Sequence, residues 1–131
     1  MIHKLPFKFI KLISQMVRYL GAALLIWIAL IHFHLWLEGY RDIPIVGILF
    51  LANSVAGLAL AIAVLFWRKP LLGLVGVVFS LATLFSLFYS INFSLVGFKE
   101  SSGASFVTIS IVIEILASFC LLLWWIFASR Y

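Results

Sequence analysis

The chain has 131 residues, 66% of them hydrophobic and 10% charged, with 9 Lys or Arg against 4 Asp or Glu, and its mean hydropathy is +1.29. A soluble domain is roughly 45–50% apolar and about 25% charged, so this chain lacks the polar surface needed to cover a globule in water. About 20 apolar residues cross a bilayer as a helix; roughly four crossings would use most of the length and leave no room for a sizeable soluble domain. The one cysteine, Cys120, lies inside an apolar run, which excludes an intramolecular disulfide and any relay between paired thiols. The net charge of +5 gathers near helix ends rather than on a solvated face, which points to anionic lipid and not to nucleic acid.

In chain order, residues 1–18, MIHKLPFKFIKLISQMVR, place Lys4, Lys8, Lys11, Gln15 and Arg18 at steps of three and four among Leu5, Phe9, Leu12, Ile13 and Met16. Two readings fit: a short basic amphipathic helix on the membrane surface, or the positive flank of the first span. Pro6 suits a first helical turn, where its missing N–H has no intrahelical acceptor. The following apolar run is too long for a cleavable signal, and no small-residue cleavage site precedes His32, so the first segment is expected to stay in the mature protein.

Apolar runs follow at 19–37, 45–67, 71–93 and 105–128, each long enough to cross about 30 Å of hydrocarbon at 1.5 Å per residue. Their connections, EGYRDIP, RKP and SLVGFKESSGA, carry the Gly, Pro and charged residues of turns. The sequence therefore predicts an all-α integral membrane protein, a four-transmembrane-helix bundle with a short basic N-terminal helix. Lys4, Lys8, Lys11, Arg18, Arg68, Lys69 and Arg130 fall on one side against Arg41 and Lys99 on the other. By the positive-inside rule both termini face the cytoplasm of a bacterial plasma membrane, and the 38–44 turn faces outward. The halves share hydropathy but no motif, which disfavours an inverted-repeat transporter.

Lipid tails are as apolar as Leu, so membrane helices associate where small residues let backbones approach and where side chains share hydrogen bonds. Such stripes are Gly73, Gly76, Ser80, Thr83 and Ser90 in the third run; Asn53, Gly57 and Ala61 in the second; and Ser110, Glu114 and Ala117 or Ser118 in the fourth. On the first helix Gly21, Leu25, Ala29 and His32 share a face, and Ala23, Trp27, Leu30 and His34 share another. Residues two apart lie about 200° around the axis, so the two histidines cannot look into one pocket. The face with the smaller residues, and His32 with it, is expected to look inward.

Glu114 lies about 13 Å below the outer surface, Asn53 about 12 Å and His32 about 8 Å, at depths where an ionised side chain costs several kcal/mol. The three are expected to meet in one layer of the outer leaflet, with Ser90 and Tyr89 near its rim. That layer is either a polar pocket for a headgroup, a quinone, a haem edge or a proton, or hydrogen-bonding glue between helices. A bis-histidine haem would need a second His32 from a homodimer, because His3 is at the opposite end. A metal site on His32, His34 and Glu38 fails, since ligands two apart diverge on a helix. No phosphate loop, catalytic carboxylate pair or nucleophile with a base is present.

The stretch HFHLWLEGYRDIPIVGILFLAN, 32–53, resembles the signature of a family of small four-span bacterial membrane proteins common in actinobacteria, with GFKESSGA, 97–104, as a weaker echo. The resemblance implies that His32, His34, Trp36, Gly39, Tyr40, Arg41, Pro44 and Gly47 belong to the family motif. Gly39 and Pro44 would then end one helix and begin the next, laying Tyr40 and Arg41 over the outer mouth as a lid. The size and four-helix plan are also similar to DoxX-like membrane proteins, some of which are associated with quinone-linked oxidation. No DoxX-type functional residue maps onto this chain.

Three functional classes stay open. The first is a non-enzymatic membrane subunit or binding module, homo-oligomeric or part of a larger complex, whose pocket of His32, Asn53, Glu114, Tyr40 and Arg41 takes a lipid, quinone or similar ligand. The second is a transporter or channel with Glu114 as its proton-linked group. The third is a quinone-linked redox protein in which His32 serves the quinone carbonyl. The lack of a catalytic constellation favours the first.

Overall fold

A computed structural model of the chain describes residues 6–92 and 107–129. Four helices make up almost all of it: α1 (Phe7–Leu37), α2 (Val46–Phe66), α3 (Leu71–Asn92) and α4 (Val107–Ala128), with a 3-10 turn at Tyr40–Asp42 between the first two. All four are long and apolar enough to cross a membrane. Their outer faces carry the side chains that lipid would cover, such as Ile48, Phe66 and Phe85, each more than two-thirds exposed. The chain is a multi-pass, all-α four-helix bundle.

The described ends of α2, α3 and α4 and the end of α1 agree with the apolar runs to within two residues, whereas α1 begins twelve residues before the run at 19–37. The basic N-terminal stretch is helical from Phe7 onward and joins the first span without a break, so α1 has 31 residues and is about 46 Å long. Nothing in that stretch interrupts the helix, since Pro6 precedes it and no Gly occurs before Gly21. Residues 1–5, the 93–106 connection with Lys99 and Glu100, and Arg130 lie outside the described residues.

Around the bundle the order is α2, α1, α4, α3: α1 packs along both α2 and α4, α4 along α3, and α2 meets α3 only sparsely. The small-residue stripes account for the close pairs. A Cβ on Gly21 of α1 would stand 2.8 Å from Leu121 of α4, and one on Gly76 of α3 would stand 2.6 Å from the same side chain. Leu121 is fully buried between them. Gly73 lets α3 come equally near the Leu121 carbonyl and the Trp124 ring.

On α2, Gly57 sits against Ala29 and Leu25 of α1, and the Ser54 hydroxyl donates to the Ala29 carbonyl at 2.9 Å. At the end of the bundle where α1 begins and α4 ends, Arg18 makes a contact that its place among the other basic residues did not foretell. It is 1% exposed. Its Nη1 donates to the Val64 and Leu65 carbonyls, both at 2.9 Å, while Nε and Nη2 hold Gln15 at 3.1 and 2.7 Å.

The cause is the end of α2. Trp67 turns extended and Pro70 follows, so residues 68 and 69 cannot supply the amides that would close the last helical turn. The guanidinium replaces them and meets the negative end of the helix dipole. Arg18→Met and Arg18→Lys are both expected to destabilise the purified protein, by on the order of 2–4 kcal/mol for Met. Lys costs nearly as much because an ammonium cannot span two carbonyls and Gln15 together. Thermal unfolding in a fixed detergent measures both.

Candidate functional site

The sparse contact between α2 and α3 leaves a cleft of about 390 Å³, lined by His32 of α1, by Leu49, Phe50, Asn53 and Ala56 of α2, and by Phe79, Ala82, Thr83, Ser86 and Ser90 of α3, among others. Ala52, Ala56, Ala82 and Ser86 line it and are exposed, so it opens sideways, toward the region that lipid tails occupy around a membrane bundle. Most of its wall is apolar. The polar groups gather where α1, α2 and α3 converge.

That convergence follows from helix register. The Asn53 Nδ2 amide donates to Thr83 Oγ1 at 2.8 Å, and the Thr83 hydroxyl donates to the Phe79 carbonyl at 2.9 Å, which ties α2 to α3 at the base of the cleft. On α1 the His32 ring meets Phe50 with centroids 5.1 Å apart, and its Nδ1 lies 2.9 Å from the Ile28 carbonyl. A carbonyl can only accept, so Nδ1 carries the proton of this bond.

Tyr40 stacks on the other partner of that column, Phe50, at 4.6 Å, and thus touches the cleft through a residue that lines it. Arg41 goes elsewhere: its guanidinium lies 5.8 Å from the Trp36 ring of α1. Its backbone packs against Gly47, where a Cβ would come within 2.6 Å of the Arg41 carbonyl oxygen. Gly39 has φ +138°, a conformation that favours glycine, and it reverses the chain after α1. Ile45, at φ 68°, centres a tight turn in which the Val46 amide donates to the Pro44 carbonyl at 2.7 Å. A β-branched residue is strained there, and the strain sits at the start of the helix that forms one cleft wall.

Glu114 is 1% exposed and does not line the cleft. It stands two turns along α4 from Leu121, on the same face. Counting two turns outward from Gly76 on α3 and from Gly21 on α1, both of which touch Leu121, reaches Thr83 and Ile28. Glu114 is therefore level with Thr83 and with its partner Asn53, and His32 is one turn further along α1. Three buried side-chain atoms have no hydrogen-bond partner among the described residues: Asn53 Oδ1, Ser80 Oγ and Glu114 Oε1. Two of them fall in this level, and Ser80 lies one turn from it.

The structure thus brings His32 and Asn53 to one cleft, puts Tyr40 beside it, aims Arg41 at α1, and sets Glu114 in the neighbouring interior at the same height. His34 is half-exposed and pairs with Glu38 at 3.1 Å; such pairs contribute little. Ser90, expected near the rim, lines the cleft, and Thr83 of the packing stripe both ties α2 to α3 and lines the cleft, while Ser86 and Phe79 carry no signal in the sequence. The period of α3 places Phe79, Thr83, Ser86 and Ser90 along one flank, but only the missing α2–α3 contact makes that flank a cleft wall. Among the described residues no group of three or more His, Cys, Asp or Glu could hold a metal ion.

Comparison with family models, with curated proteins and with solved structures finds no match. The orphaned oxygen of Glu114 still makes a prediction about stability. A buried polar group that lacks a partner can be exchanged for an apolar one of similar shape at little cost, so Glu114→Leu is expected to shift unfolding free energy by less than about 1 kcal/mol. The same denaturation assay that reads Arg18 checks it.

Proposed function

We propose that this protein is a small membrane subunit or binding module, without catalytic activity of its own, whose α2–α3 cleft takes a lipid, quinone or similar apolar ligand with one polar end. The carrying observation is the cleft itself. It is mostly apolar, opens sideways, and gathers Asn53 and Thr83 at one level with His32 one turn further along α1.

In this reading the terminal end of the bundle, with Lys8, Lys11, Arg68 and Lys69, faces the cytoplasm of a bacterial plasma membrane and meets anionic headgroups. The end with Glu38 and Asp42 faces outward. The exposed apolar faces suit homo-oligomers or a larger membrane complex.

Protein purified gently from native membrane is expected to carry an apolar small molecule, detected by mass spectrometry. Ala82→Phe, which places a ring in the cleft, is expected to remove it, whereas His34→Ala leaves it bound. Equal loading in Ala82→Phe defeats the proposal.

A second reading has one observation in its favour: the nearly inaccessible Glu114 carboxyl with its unpartnered Oε1, the kind of group that carries protons in membrane transporters. Reconstituted vesicles distinguish the two. Transport would make proton-linked flux fall sharply in Glu114→Gln, and the binding-module reading expects no flux in either protein.

A further inference from the structure

The hydrogen bonds around the cleft leave one of its groups able only to accept, and that group selects a ligand. The Thr83 hydroxyl proton is used on the Phe79 carbonyl, and the Ser90 hydroxyl proton on the Leu87 carbonyl, at 2.8 Å. Because the Thr83 oxygen can then only accept, the amide of Asn53 must turn its NH₂ toward it. Asn53 Oδ1 is left as an acceptor with no partner among the described residues.

His32 behaves in the same way. With Nδ1–H committed to the Ile28 carbonyl, the neutral ring keeps Nε2 as a lone-pair acceptor. Ser86, exposed at the cleft edge, can donate or accept and so does not discriminate. Asn53 keeps one amide N–H beyond the one given to Thr83, so it too can serve either sign, and His32 Nε2 is the cleft group that can only accept.

From the fixed tautomer of His32 we infer that the cleft binds an apolar molecule through a hydroxyl that donates a hydrogen bond to His32 Nε2, beside the Asn53 amide in the same cleft. The ligand class is a lipid alcohol. A quinone carbonyl or an ester has no proton to give and would leave His32 Nε2 unpaired, which is how a polar site rejects the wrong analogue. The sideways opening admits the hydrocarbon part from the surrounding lipid, with Leu49, Ala56, Phe79 and Ala82 along it. The inference rests on the cleft reading proposed above and adds the sign of the polar contact.

The test uses full-length protein in phosphatidylcholine nanodiscs with radiolabelled dodecanol, its methyl ether and dodecanal, each corrected for partition into empty discs. Dodecanol is expected to bind saturably and about five- to tenfold more tightly than the ether or the aldehyde, the worth of one hydrogen bond. His32→Phe, which keeps a ring beside Phe50 but has no acceptor, is expected to erase that preference, and His32→Gln, which keeps an acceptor, to retain most of it. Equal binding of all three probes, abolished together by Ala82→Phe, would overturn the hydroxyl assignment and leave the cleft reading standing. Binding of none, or binding that Ala82→Phe does not alter, would overturn both. If the His32 variants do not fold, the alcohol-to-ether ratio of the unsubstituted protein still decides.

Discussion

The placement of Leu121 between Gly21 and Gly76 sets the geometry of this bundle. In a bilayer there is little to gain from moving a leucine out of lipid and into a protein core, so helices hold together where backbones come close enough for dense dispersion contact. Here two glycines on different helices make that possible around one side chain of α4. The result is a tight α1–α4–α3 unit. The fourth helix, α2, joins it chiefly through α1.

Two devices secure that attachment. Gly57 and Ser54 fit α2 to the middle of α1, and Arg18 ties off its last carbonyls. Both act on the α1 side. Nothing comparable draws α2 onto α3, whose glycines are already turned to α4; the described polar tie between them is Asn53 to Thr83. The cleft is therefore a consequence of how the small residues are apportioned among the helices: Gly73 and Gly76 of α3 serve α4, and the glycine that α2 turns toward α3, Gly57, meets the Phe79 ring there and Ala29 of α1 as well.

This arrangement gives the polar residues of the interior two distinct settings. Asn53, Thr83 and His32 stand where a ligand can reach from the side, with Phe50 joining His32 to Tyr40 in an aromatic column. Glu114 stands at the same height but in the closed part of the bundle, on the face of α4 that bears Leu121. A residue in the first setting borders the open cleft. One in the second is isolated from lipid and solvent alike, and its chemistry depends on what passes between the helices.

Much of this was legible in the residues alone. Hydropathy and length determined the four spans, because crossing hydrocarbon requires about 20 apolar residues whatever their neighbours. The 100° step of a helix separated inward His32 from exposed His34, and the stripes marked the faces that close. Arg18 was misread as one more residue of a basic flank, since nothing local says that α2 ends beside it and leaves carbonyls to satisfy. Likewise Arg41, expected over the mouth of the pocket, leans on Trp36. The cleft was also out of reach, because it is a missing contact between two helices adjacent in the chain, and hydropathy does not say which neighbours pack. Periodicity along one helix determined which way each side chain points; only the competition of four helices for a few glycines decided which of those side chains would meet.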